Sequence, residues 1–207
     1  GCKVNQYESA GIAEALSMKG LKIVPFHEKA DIYIVNTCTV TGKTDYQSRQ
    51  LIRRAHRLNP EASIIVTGCY AQVSPDKLAA IAGVTMVVGT KDKERIPSLI
   101  ERINRDKQQV IVTDSSLADE CSCLPAIKFQ GRTRAFLKIQ DGCNAFCSYC
   151  IIPYARGRSR SLPERNVAER VLKLTESGYR EIVLTGIHIG NYGLDLSPKL
   201  NFLTLLQ

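Results

Sequence analysis

Cys143, Cys147 and Cys150 stand at C-x-x-x-C-x-x-C spacing, and Tyr149 immediately precedes the last of them. Three thiolates on one short loop satisfy three irons of a 4Fe-4S cubane and leave the fourth iron without a protein ligand. Such an open iron can chelate the amino and carboxylate groups of S-adenosylmethionine, placing its sulfonium where an electron from the reduced cluster can cleave it. An aromatic ring at position 149 can pack beside the adenine of that nucleotide or anchor the loop. A zinc site is the competing reading. Zinc wants four ligands and would have to recruit Cys121, Cys123 or His188, whereas zinc ribbons usually pair C-x-x-C knuckles.

A second triad is dispersed. Cys2 precedes a helical pattern over residues 7–18, Cys38 follows an apolar strand at 32–35, and Cys69 follows another at 63–66. Each cysteine marks a strand-to-helix junction. In a parallel sheet such junctions share the carboxyl edge, where ligands bind at a switch of strand order. The three thiols are therefore expected at one shared site, although any of them alone also reads as a small buried apolar residue. Helix amino termini nearby favour thiolate. Cys121 and Cys123 have no third partner and read as incidental thiols.

The elements that must position these residues follow from periodicity. Strand and helix patterns alternate through a helix at 43–58, a short helix at 74–81, a strand at 85–88 and a helix at 96–103. The grammar is α/β and predicts a mostly parallel sheet covered by helices with right-handed crossovers. Residues 113–131 lose periodicity in Asp, Ser, Pro and Gly and read as a linker. The expected domains are thus 1–112, carrying the dispersed triad, and 132–207, with the linker between them. In the second, a strand at 135–139, a helix at 162–177 stopped by Gly178, and a strand at 182–184 make the start of a (β/α) barrel. A complete barrel takes about 250 residues, so this one is incomplete. The chain opens at Gly1 and closes inside a helix-like apolar stretch, which reads as a fragment cut at both ends.

Composition sets outer bounds. The chain has 207 residues, 44% of them hydrophobic, as expected of an ordinary globular protein. No apolar run approaches the roughly 20 residues of a membrane span, and no leader pattern opens the chain, so a cytoplasmic setting without a membrane is expected. In a reducing compartment eight cysteines suit metal ligation better than disulfides. The 28 basic and 20 acidic residues leave a net charge of +8, which suits an anionic partner such as RNA or describes only a basic surface. Arg156, Arg158 and Arg160 alternate after the cysteine loop and are candidates for phosphate contact. Arg49, Arg53 and Arg57 recur along one helix, a pattern shared with solvated faces. His27, His56 and His188 form no triad or metal set and are assigned no chemistry.

On these residues the whole chain resembles the methylthiotransferase family, in which three dispersed cysteines precede a radical S-adenosylmethionine barrel. The opening Gly1-Cys2-Lys3-Val4-Asn5-Gln6-Tyr7-Glu8-Ser9 is similar to the branch acting on threonylcarbamoyladenosine in tRNA, and the stretch from Asp141 to Cys150, with Ile151-Ile152-Pro153 and Arg156-Gly157, resembles the same family. The resemblance implies two 4Fe-4S clusters, one on Cys143, Cys147 and Cys150 and one on Cys2, Cys38 and Cys69. The first would generate a 5′-deoxyadenosyl radical that takes hydrogen from carbon 2 of the modified adenine beside the anticodon. The second would present or supply sulfur, and a second S-adenosylmethionine the methyl group. Thr185 and Gly186 correspond to the position where the backbone meets the amino group of S-adenosylmethionine, though the acidic residue of some relatives is missing there. The implied partners are tRNA and an electron donor such as a flavodoxin or ferredoxin. Three other readings stand beside this one: action on isopentenyladenosine, action on a ribosomal-protein aspartate, and a non-catalytic Fe-S or zinc-binding module.

Overall fold

In the computed structural model, residues 1–105, 107–117, 121, 124–129, 131 and 133–207 are described. The amino-terminal half runs α1 (Lys3–Met18), β1 (Ile32–Thr37), α2 (Gly42–Leu58), β2 (Ser63–Gly68), α3 (Cys69–Val73), α4 (Pro75–Ala79), β3 (Val84–Val88), α5 (Ile96–Leu99) and β4 (Gln109–Ile111). Its four strands pair in parallel in the order β1-β2-β3-β4. The α/β expectation is met, with one correction. The described strands are laid down in sequence order, so the cysteines' shared edge lies at no switch of strand order.

Local chemistry sets the element boundaries. Thr41 starts α2 with a reciprocal cap: its Oγ1 accepts from Thr44 N at 3.3 Å, and Thr44 Oγ1 accepts from Thr41 N at 3.2 Å. The short helix expected at 74–81 is α4, and a further turn, α3, precedes it; Pro75 lacks the N–H that would continue α3 and instead opens α4. The helix expected at 96–103 is a four-residue α-turn flanked by 3-10 turns at Lys93–Arg95 and Ile100–Arg102. β4 was not expected, although the β-branched run Val110-Ile111-Val112 signals it.

Both faces of the sheet are covered. Ile52 and Ala55 of α2 and Leu78 of α4 pack on Tyr33, Val35, Ile64, Val66 and Val87. Ile12 and Leu16 of α1 and Ile96 of α5 pack on Ile65, Met86 and Val88 opposite. β2, central and covered on both sides, is buried along its whole length.

The carboxyl-terminal half contains β5 (Ala135–Lys138), β6 (Gln140–Asp141), α6 (Ile152–Arg156), β7 (Arg160–Ser161), α7 (Glu164–Glu176), β8 (Ile182–Thr185) and α8 (Phe202–Leu206). β5 and β8 pair in parallel, as one βαβ unit requires, and β6 pairs antiparallel with β7. The described part of the expected linker is strapped down. Glu14 of α1 accepts from Ile127 N at 2.6 Å and Lys128 N at 3.1 Å, and Phe129 N donates to Tyr179 Oη at 2.9 Å.

Helix α1 belongs to both halves. Its Tyr7 is fully buried in the second core with Phe129, Phe136 and Leu137. The next residue, Glu8, enters a buried ionic cluster. Arg156 Nη1 and Nη2 reach Glu8 at 2.9 and 3.1 Å, Lys138 Nζ reaches it at 3.3 Å, and Lys93 also pairs with it. Asp141 holds Lys138 at 3.0 Å and Arg156 at 2.9 Å from the other side. None of these five side chains is more than 10% exposed. Burial alone would raise the Glu8 carboxyl, but Arg156, Lys93 and Lys138 hold it well below the usual carboxylate range. Asp141 is likewise lowered, its burial outweighed by Arg156 and Lys138.

Two expectations follow. Because both carboxyls ionise more readily folded than unfolded, their contribution to stability is complete above the ordinary carboxylate range and is lost as pH falls through and below about 4. Glu8→Gln removes one partner from buried cations and should cost about 3 to 5 kcal/mol at pH 7, with a shallower loss of the thermal midpoint on acidification. An unchanged midpoint by calorimetry would contradict the bridge. Gly68, at φ +102°, leaves no room for a side chain, since a Cβ there would lie 2.2 Å from the Thr37 carbonyl oxygen. Gly68→Ala should lower the urea midpoint by at least the roughly 1 to 3 kcal/mol of such backbone strain, with an unchanged denaturant slope.

Candidate functional site

The dispersed triad is assembled by strand register. Thr37 of β1 lies opposite Gly68 of β2, so Cys38 and Cys69, the next residues, leave neighbouring strands at the same edge. Cys2 caps α1 in an extended conformation. That helix end is pinned to the edge by Asn5, whose Nδ2 donates to the carbonyls of Asn36 at 3.3 Å and Thr37 at 3.2 Å. Asn36 Nδ2 answers by donating to Asn5 O at 3.0 Å. Thr37 Oγ1 donates to Thr67 O at 2.6 Å, tying the two strand ends together. Cys38 and Cys69 are buried and Cys2 is exposed; all three are free thiols. Burial pushes the Cys69 thiol up, an effect that Arg156 and Lys93 partly offset.

Unspent polarity accumulates at this edge. Asn36 Oδ1, Thr67 Oγ1 and Arg156 Nε are buried atoms without hydrogen-bond partners. Arg156 closes α6, which packs against α3, the helix that Cys69 begins.

The clustered triad sits on the loop beyond β6. Gly142, at φ +70°, is required there, because a Cβ would lie 1.9 Å from Arg158 O. Cys143 N donates to Gly157 O at 3.1 Å, Ala145 N approaches Cys143 Sγ at 3.5 Å, and Cys150 N closes a turn onto Cys147 O at 2.9 Å. Gln140 binds this loop to the one after β8. Its Nε2 donates to the carbonyls of Asp141 and Gly142 at 3.0 and 2.8 Å, while its Oε1 accepts from Ile187 N and His188 N, both at 2.9 Å. Gly186 fits against Gln140 only for want of a Cβ, which would approach its Oε1 to 2.9 Å, and Thr185 is buried at the end of β8. His188 Nδ1 stands 3.9 Å from Cys143 Sγ and 3.1 Å from Asn191 Nδ2. Sequence reasoning passed over Gln140 and weighed His188 only as a fourth ligand to zinc. A lone Gln after a strand carries no motif, and the link between His188 and Cys143 spans 45 positions.

The thiols of each triad thus share a setting without forming a ready-made ligand sphere: among the described residues no three His, Cys, Asp or Glu side chains are drawn together closely enough to hold a metal ion. The donor chemistry nonetheless suits an iron-sulfur group. Each set offers three soft ligands on backbone fixed by hydrogen bonds, and the dispersed set borders buried cations and unpaired polar atoms. Tyr149 is 90% exposed beside Cys150, free to meet a ligand. Cys121 is buried in the second core, and Cys123 lies outside the described residues.

The arginine expectation is corrected. Arg156, 2% exposed, is spent on Glu8 and Asp141, and Arg160, 8% exposed, donates to the carbonyls of Arg158 and Arg156 at 2.6 and 2.8 Å. Neither is presented for phosphate, whereas Arg158 is exposed. Arg49 donates to Tyr70 Oη at 2.9 Å, while Arg53 and Arg57 face solvent. No helix among the described residues is long and apolar enough to cross a membrane.

Comparison with known proteins places these observations. Residues 1–89 match the family model described as uncharacterized protein family UPF0004, and residues 137–193 match the Radical SAM superfamily. The chain is similar over its whole length to the threonylcarbamoyladenosine tRNA methylthiotransferase MtaB of Bacillus subtilis (strain 168), at 47% identity and 46% of that protein's length. It is similar to the enzyme of the same name from Aquifex aeolicus (strain VF5), at 39% identity over 207 residues and 50% of that protein. It is also similar to the tRNA-2-methylthio-N(6)-dimethylallyladenosine synthase of Clostridium novyi (strain NT), at 34% identity, again over the whole chain and 47% of the relative. The chain spans about half the length of the curated relatives it matches. An amino-terminal region and a Radical SAM superfamily region are thus matched in the same chain, and all of it is similar to part of the tRNA methylthiotransferases named above.

Proposed function

We propose that this chain serves the addition of a methylthio group to carbon 2 of N6-threonylcarbamoyladenosine, next to the anticodon of tRNA. The observation that carries the reading is the loop of Cys143, Cys147 and Cys150, seated at the carboxyl end of a parallel strand and fixed there by Gln140. The choice of substrate rests on the 47% identity to a relative named for threonylcarbamoyladenosine, against 34% to one named for dimethylallyladenosine.

Cys143, Cys147 and Cys150 hold one 4Fe-4S cluster by three thiolates, and Cys2, Cys38 and Cys69 hold a second. With S-adenosylmethionine bound, these groups supply radical hydrogen abstraction at carbon 2, the sulfur that replaces that hydrogen, and the methyl group. The chain's own residues orient and exclude. Gln140 keeps the loop after β8 against the cysteine loop, so that Thr185 and Gly186 present backbone to the amino group of the nucleotide. Tyr149 offers an exposed ring to its adenine. Arg158 is the member of the arginine run left to meet tRNA phosphate. An electron donor such as a flavodoxin or ferredoxin completes the reaction, in the cytoplasm where tRNA is modified.

Two measurements test this reading. The protein reconstituted without air should bind about eight irons, falling to about four when Cys143, Cys147 and Cys150 are all replaced by Ala or when Cys2, Cys38 and Cys69 are. Zinc with no iron in anaerobically purified protein would overturn it. Mass spectrometry of bulk tRNA nucleosides from cells lacking the gene should show loss of the methylthio form of threonylcarbamoyladenosine, with the unthiolated nucleoside accumulating. Retention of the methylthio form would remove the substrate assignment.

A further inference from the structure

The buried ionic cluster gathers cations and carboxylates near Cys69. Lys93, Lys138 and Arg156 face two carboxylates, Glu8 and Asp141, and all five side chains are removed from water. Ion pairs fasten Glu8 to both Arg156 and Lys93, but Arg156 Nε has no partner. A charge in a water-poor interior acts over a longer range than one at the surface.

These charges gather at one place, where Arg156, Lys93, Glu8 and Asp141 all act on Cys69. Arg156 ends α6, and α6 packs on α3, the helix whose first residue is Cys69. Thr90, in the loop after β3, donates its hydroxyl to Ala155 O at 2.7 Å, fixing the residue before Arg156 to the carboxyl edge of the sheet. Lys93 follows on the same loop. Glu8 reaches the cluster from α1, the helix that Cys2 caps. Every member thus hangs from an element that also carries, or packs on, the dispersed cysteines or the loop of Cys143.

We infer that Lys93, Arg156 and Glu8 are positioning residues that set the reduction potential of the iron-sulfur group at the Cys2, Cys38 and Cys69 edge, Lys93 and Arg156 easing its reduction and Glu8 limiting that effect. The inference rests on the proposed function, which supplies the cluster. One-electron reduction adds one negative charge to a cluster already anionic from its thiolates, and the added charge is stabilised by neighbouring cations. Net charge around the sulfurs is one of the protein's principal means of setting such potentials.

The test is a redox titration of the full-length protein, reconstituted without air and with Cys143, Cys147 and Cys150 replaced by Ala, so that only the cluster of interest is present. Dithionite with mediators supplies the electron, and electron paramagnetic resonance reads the reduced fraction. Lys93→Met should make reduction harder, lowering the ratio of reduced to oxidised cluster at fixed solution potential roughly tenfold, about 59 mV for one electron. Glu8→Gln should shift it the opposite way, and Lys93→Arg should leave it near the unsubstituted value. Mere loosening of the fold would move both neutralising variants in one direction. Shifts of the same sign, or none, with iron content intact would overturn the inference alone. Absence of iron from the unsubstituted protein would overturn both the inference and the proposed function. If Glu8→Gln does not fold, Lys93→Met against Lys93→Arg carries the test, and equal potentials for those two would overturn it.

Discussion

The structure turns on a pair of buried carboxylates that cannot be left alone. Glu8 on α1 and Asp141 beside the cysteine loop share the Arg156 guanidinium, and Lys138 and Lys93 complete the set. Dehydrated charges of this kind cost several kcal/mol each unless geometry and partners compensate, so the five side chains are satisfied together or not at all. That requirement makes α1 a shared part of both halves, with Ile12 and Leu16 in one core and Tyr7 in the other. The two sets of cysteines are therefore parts of one assembly rather than beads on separate domains.

Given that frame, each thiol set is placed by backbone. Register brings Cys38 and Cys69 to neighbouring strand ends, and Asn5 holds the Cys2 end of α1 against the same carbonyls. Gln140 does the equivalent for the second set, spending its amide on the start of the cysteine loop and its carbonyl on the loop after β8. Most of the bonds that hold each loop in place are made by backbone and amide groups rather than by the thiols. Such loops keep their sulfur ligands available, as open iron-sulfur coordination requires.

Much of this was legible in the amino-acid sequence, and the division has a physical basis. Strands such as 32–37 and 63–68 announce themselves through local β-branched runs, and the cysteines mark their ends because small residues are placed where backbone turns. The two cysteine sets were read from spacing and junctions alone. The arginine run was misread because alternation along a chain does not say which residues are buried. Arg156 finds Glu8 across 148 positions, and nothing local to either residue records that pairing. The loose composition of residues 113–131 likewise conceals bonds to Glu14 and Tyr179, which lie far away in sequence. Gln140 carries no signature until the residues it bonds are known.

Because the buried charges on Glu8 and Asp141 tie the elements carrying the two cysteine sets into one assembly, the two proposed iron-sulfur groups would be held at one fixed separation. Pulsed electron paramagnetic resonance on the full-length protein, with both groups reduced, measures their dipolar coupling directly. One narrow distance distribution is expected. A broad distribution, or a single isolated paramagnetic centre, would contradict it.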